Sequence, residues 1–155
     1  MSIKNGSKQP AGLIAEIFLN LMNHLNDYFI RLSRIMKEDQ RFQQEAYLFV
    51  MASLGRALRG LEEPRHISGA ELLASIREEA EEQFGPMSTT VLHHWGIKNS
   101  LDFGEIVFNM VREGILSKTE DDRLDDFKDS VFFKNLFDLV SGYQLNSEQH
   151  VLKSA

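Results

Sequence analysis

Ser68-Gly69-Ala70-Glu71-Leu72-Leu73 opens, and Gln83-Phe84-Gly85-Pro86 closes, the stretch whose reading decides the fold. Ser followed three residues on by Glu, just ahead of an apolar run, is a capping box: the hydroxyl and the carboxylate each take one orphan backbone N–H of a helix start. Between the two ends, Leu72, Leu73, Ile76, Ala80 and Phe84 recur at helical spacing, with Glu78, Glu79, Glu81 and Glu82 on the other side. Gly85 suits a left-handed cap, and Pro86 cannot continue the helix. The same stop recurs twice downstream, as Gly96-Ile97 and Gly114-Ile115, so three helices in succession carry their own terminators.

Working outward from there, Ser88 or Thr89 is placed to cap a short helix holding Val91, Leu92 and Trp95. Ser100 is placed to cap the next, whose inward set is Leu101, Ile106, Val107, Met110 and Val111. Upstream, a helix over about 41–61 is apolar nearly all round, which predicts a central position. After Gly114 the period changes. Residues 115–119 read as a strand, 120–122 as a turn and 124–133 as a return strand, with His66-Ile67 supplying a third. Two short helices, a tight turn and a hairpin give the expected class: mainly α, with a helical core and a winged-helix-like half over about 66–134 carrying a small β-hairpin. A last short helix around Phe132, Phe133, Leu136 and Phe137 docks on the core.

The N-terminal side is a different problem. Ile14, Phe18, Leu21, Leu25, Tyr28, Leu32 and Ile35 are spaced 4-3-4-3-4-3, a heptad seam. Either one continuous helix offers that seam to a partner chain, or two helices break at Asn26–Asp27. Leu13, Ile17, Met22, Phe29 and Met36 widen the stripe, which favours burial against a core. The expected organisation is a disordered tail over 1–11, a helical extension over 12–27, one helical domain over 28–141 and a polar tail over 142–155.

Composition narrows the function classes. There is no cysteine, so disulfides, thiolate catalysis and cysteine-ligated metals are excluded. No apolar run reaches membrane-spanning length and no signal-peptide pattern is complete, which predicts a cytoplasmic protein without membrane contact. The net charge of −6 is uneven. Residues 1–65 carry nine Lys/Arg against seven Asp/Glu, and residues 66–155 carry eight against sixteen. The helix in the recognition position exposes Asp102, Glu105, Asn109, Arg112 and Glu113, and the expected wing over 120–129 is acidic. Phosphates would be repelled, so DNA binding there is not expected.

Arg41-Phe-Gln-Gln-Glu-Ala-Tyr-Leu-Phe-Val50, Ile67-Ser-Gly-Ala-Glu-Leu-Leu73, Glu82-Gln-Phe-Gly-Pro-Met87, Trp95-Gly-Ile97, Phe103-Gly-Glu-Ile-Val-Phe-Asn-Met-Val111 and Gly114-Ile-Leu-Ser-Lys-Thr-Glu-Asp121 together carry a resemblance. They resemble an uncharacterised family of small bacterial proteins described as restricted to planctomycetes and verrucomicrobia. The similarity covers roughly 29–137 and leaves the first part of the seam outside it. That family offers no catalytic motif, so the resemblance implies neither an activity nor a cofactor.

Candidate sites are few. Adjacent His93 and His94 diverge by about 100° on a helix and cannot chelate one ion as an i, i+4 pair does. The acids over 120–129 lack the spaced ligands and glycine of a calcium loop. Outward glutamates have no pocket to perturb them for acid–base work. No catalytic, cofactor or metal residues are assigned. The candidate partner-binding residues are Arg31, Arg34 and Arg41 on a basic stripe, Arg56 and Arg59 near it, and Phe103 as an aromatic anchor. Phe42 lies at a similar edge. The expected function is a noncatalytic protein–protein interaction module, with homo-oligomers through Ile14, Phe18, Leu21 and Leu25. The alternative is an RNA-binding or regulatory module using Arg31, Arg34 and Arg41.

Overall fold

The computed structural model describes residues 10–136, with side chains from residue 12. The tail expected over 142–155, residues 1–9 of the tail expected over 1–11, and the last helix beyond Leu136 lie outside the described residues, while Pro10 and Ala11 of that first tail belong to a helix. Among the described residues five complete helices follow one another: α1 Pro10–Glu38, α2 Gln44–Arg59, α3 Gly69–Phe84, α4 Ser88–His94 and α5 Ser100–Arg112.

Local chemistry sets most boundaries. Ser68 accepts from the Glu71 amide while the Glu71 carboxylate accepts from the Ser68 amide, so the capping box forms at the start of α3. Gly85, Gly96 and Gly114 all adopt positive φ where the sequence placed its three stops. Gly96 is the most constrained of them: φ is +91° and a Cβ there would stand 1.9 Å from the Arg41 carbonyl oxygen. Only glycine combines that dihedral with that approach. Two caps differ from expectation. Asn99, not Ser100, caps α5, in a reciprocal box with Asp102, and Ser100 Oγ accepts from the Asp129 amide. Ser88 caps nothing; its hydroxyl donates to the Ala80 and Gly85 carbonyls, tying α4 to the end of α3.

The β-hairpin and the winged-helix half are not there: among the described residues there is no strand. After α5 the chain bends at 115–116, turns at 120–121, makes a 3-10 turn at Leu124–Phe127 and enters a helical turn over 132–136. The acids explain why. Asp122 accepts from the Thr119 amide, Asp126 from the Arg123 amide and Asp129 from the Val131 amide. Aspartates that satisfy nearby backbone donors in this way compete directly with a strand ladder. His66-Ile67 is likewise irregular coil.

α2 packs most extensively on α3, and α5 on the Leu124–Phe127 turn. The core comprises Phe42, Ala46, Tyr47, Phe49 and Val50 from the α2 region, Leu72, Leu73, Ile76 and Ala80 from α3, Leu92 and Ile97, Phe103, Ile106 and Met110 from α5, and Phe127, Phe132 and Leu136. Phe127 reaches it because Gly104 has no side chain: a Cβ there would lie 2.9 Å from the Phe127 ring. The rings of Phe49, Phe84 and Trp95 meet mutually at 5.4–5.6 Å. Ser75 Oγ bridges α3 to the Ser53 carbonyl of α2 at 2.7 Å, so this buried hydroxyl is satisfied.

α1 is one helix, with no break at Asn26–Asp27; Asp27 lies inside it and pairs with Arg31 at 2.8 Å. Its C-terminal third docks through Leu32 and Ile35, both buried, with Tyr28 and Met36 beside them. The breadth of the stripe favoured core burial along its whole length, and that is corrected: the first two-thirds of α1 lies exposed.

Candidate functional site

The exposed part of α1 is the most unusual surface of the molecule. Leu13, Ile14, Ile17, Phe18, Leu19, Leu21, Met22, Leu25, Phe29 and Ile30 are all 43–68% exposed, and together they make ten large apolar side chains on less than six turns of helix. Scattered apolar side chains are normal on a surface; a contiguous stripe is not. The face of the stripe is set by the seam, which runs outward without interruption from Ile35 and Leu32 in the core.

The five candidate arginines do not form one basic surface. Arg31 donates through Nη1 to the Glu113 carbonyl at 2.6 Å, holding the C-terminal end of α5, and through Nε to Asp27. Arg34 stands 3.9 Å from Glu113. Arg41 lies apart, bonded to Asp39 and 3.5 Å from Glu105. Arg56 faces α3, where Glu78, Glu79 and Glu82 lie within 3.4 Å. Arg59 is exposed. Phe103 is fully buried, its ring 5.3 Å from that of Phe132, so the aromatic anchor is corrected to a core residue. Phe42 is buried as well, beneath the Arg41 guanidinium at 5.0 Å. His93 packs its ring against Phe133. Among the described residues no group of three His, Cys, Asp or Glu side chains is placed to hold a metal.

Two sites were not legible as such. The first is a polar network around Asn109, which helical periodicity places on the outward side but which is buried. Its Nδ2 donates to Asp39 Oδ2 at 2.9 Å and to Tyr47 Oη at 3.2 Å, and its Oδ1 accepts from Arg112. Hydrogen bonds from Arg41 above all, and from Asn109, hold the Asp39 carboxyl well below its ordinary range. Burial pushes the Tyr47 hydroxyl up. The network locks the α1–α2 connection onto α5.

The second is a cavity of about 220 Å³ between α2, α3, α5 and the loop after it. Leu54, Leu72, Val107, Phe108, Leu116 and Phe127 give it apolar walls. At its rim His66 Nε2 meets Asp122 Oδ2 at 2.7 Å, and Arg65 pairs with Glu71. Burial raises the Asp122 carboxyl, but hydrogen bonds from the Thr119 amide and His66 outweigh it and hold it low. The cavity has room for a small apolar group. Ser68 Oγ on the same rim is already committed as a helix cap. No sequence motif marks the site, because its walls come from four segments far apart in the chain.

Comparison with protein-family models, with curated proteins and with solved structures gives no match for this chain. No described helix is long and apolar enough to cross a membrane.

Proposed function

We propose that the chain is a noncatalytic protein-interaction module whose docking element is the outer part of α1. One observation carries this reading: ten large apolar side chains stand exposed on a helix whose other end is anchored in the core. Removing such side chains from water contributes about 1.5–3 kcal/mol each at full burial, so even partial cover supplies a usable driving force. A helix laid against a partner through i, i+3, i+4 and i+7 anchors is an established mode of recognition.

The competing use of the arginines draws less support. Arg31, Arg41 and Arg56 face carboxylates of their own chain, and phosphate contacts would have to displace those partners.

The test is co-purification from the source cell with tagged wild type and with the double variant Phe18→Glu/Leu25→Glu. A stoichiometric protein held by the wild type and lost from the variant, at unchanged thermal stability, is the expected result. The same proteins on both, or nuclease-sensitive retention that the variant keeps, would overturn the reading.

A further inference from the structure

The seam changes role along α1, and this restricts what can lie against it. Ile14, Phe18, Leu21 and Leu25 are exposed, whereas Leu32 and Ile35 on the same face are covered by the protein's own core. We propose that the exposed part pairs with α1 of a second copy of this chain, antiparallel, with Ile14 opposite Leu25 and Phe18 opposite Leu21. The inference rests on the reading of α1 as the docking element and names its partner.

Orientation follows from the core. In a parallel pair the partner helix would run on past residue 27 along the seam face, into the space already filled by the body that covers Leu32 and Ile35. An antiparallel partner avoids it. Centred between Leu19 and Asn20, two copies of α1 overlap over about 10–29, so each helix begins opposite Tyr28 and Phe29 of the other, short of the buried Leu32 and Ile35. The layers are then Ile14/Leu25, Phe18/Leu21 and their two symmetry mates. Each joins an a-type position to a d-type one, as an antiparallel coiled coil requires. One patch serves both copies, which is the self-complementarity a two-fold interface needs.

Charge and area agree with a second copy. Between residues 10 and 26 the only Asp, Glu, Lys or Arg is Glu16, on the side away from the seam, so two copies meet without a like-charge clash. A lipid surface would call for Lys and Arg on the polar face, and this segment has none. Ile14, Ile17, Phe18, Leu21, Met22 and Leu25 are 43–68% exposed, which amounts to about 600 Å² per copy, so complete cover of these side chains in the pair would bury about 1,200 Å², the lower edge of stable interfaces.

The chain has no cysteine, which makes the test direct. Ile14→Cys and Leu25→Cys are made separately, and light scattering gives the mass of the wild type. The expected mass is twice 17.8 kDa at high concentration. A short bis-maleimide should leave each variant uncoupled alone and couple them when mixed. Self-coupling of each variant overturns the antiparallel arrangement. A mass of 17.8 kDa at every concentration overturns the second copy altogether. If the monomer still captures another protein that Phe18→Glu/Leu25→Glu loses, this inference fails while the docking reading stands.

Discussion

At Asp39 four donors converge on one carboxylate: the Arg41 amide, its Nε and Nη2, and Asn109 Nδ2. Asp39→Ala leaves the buried amide of Asn109 short of an acceptor, and a loss of about 1–3 kcal/mol is expected from denaturant unfolding. Glu71, held at about 2 by Arg65 and by its backbone cap, gives the pH dependence a definite sign. The unfolded carboxyl takes up its proton first as the solution is acidified, so the stabilisation is complete above about pH 4.5 and is lost as pH falls towards 2. Urea midpoints should therefore fall on acidification, and Glu71→Gln should flatten part of that slope; equal slopes would refute this. Phe103→Ala should cost about 3–5 kcal/mol, as truncation of a buried aromatic does. Oligomer mass measured at a temperature where the variant is folded should not change, because Phe103 touches the core and not a partner.

Among the elements, what the sequence made legible was whatever is decided within a few residues. The box at Ser68 and Glu71 and the three glycine stops are reciprocal bonds and backbone dihedrals, fixed by local chemistry. Gly96→Ala tests the strongest of them. The substitution strains φ and drives a methyl group into the Arg41 carbonyl, so a loss above about 2 kcal/mol is expected in thermal or chemical unfolding. A variant as stable as wild type would contradict the close approach. The hairpin is absent for an equally local reason: the change of period after Gly114 suggested strands, but Asp122, Asp126 and Asp129 each hold a backbone amide close to themselves in the chain. Asn109 was misplaced because its partner Asp39 lies 70 residues away, and helical periodicity carries no information at that range. The cavity between α2, α3 and α5 leaves no sequence signal on the same ground. In α1 the heptad was visible, but the sequence alone did not show how far along it the core's cover extends.

As a whole molecule, the chain divides into a body and an arm. In the body, Arg31, Arg34, Arg41, Arg56, Arg65 and Arg77 all lie near carboxylates of the same chain. Exposed pairs of this kind add little stability, but they occupy the cations that a phosphate backbone would need. No salt-sensitive retention on nucleic acid is expected, and retention of RNA at low salt with a slope matching several phosphates would contradict this. The arm leaves its apolar face uncovered. Hydrogen exchange of the amides over 12–27, followed from dilute to concentrated protein, tests that division most directly. Protection should rise with concentration in the wild type and stay at the dilute level in Phe18→Glu/Leu25→Glu, while α2, α3 and α5 exchange alike in both. Equal exchange over 12–27 at every concentration, the same in wild type and variant, would contradict it.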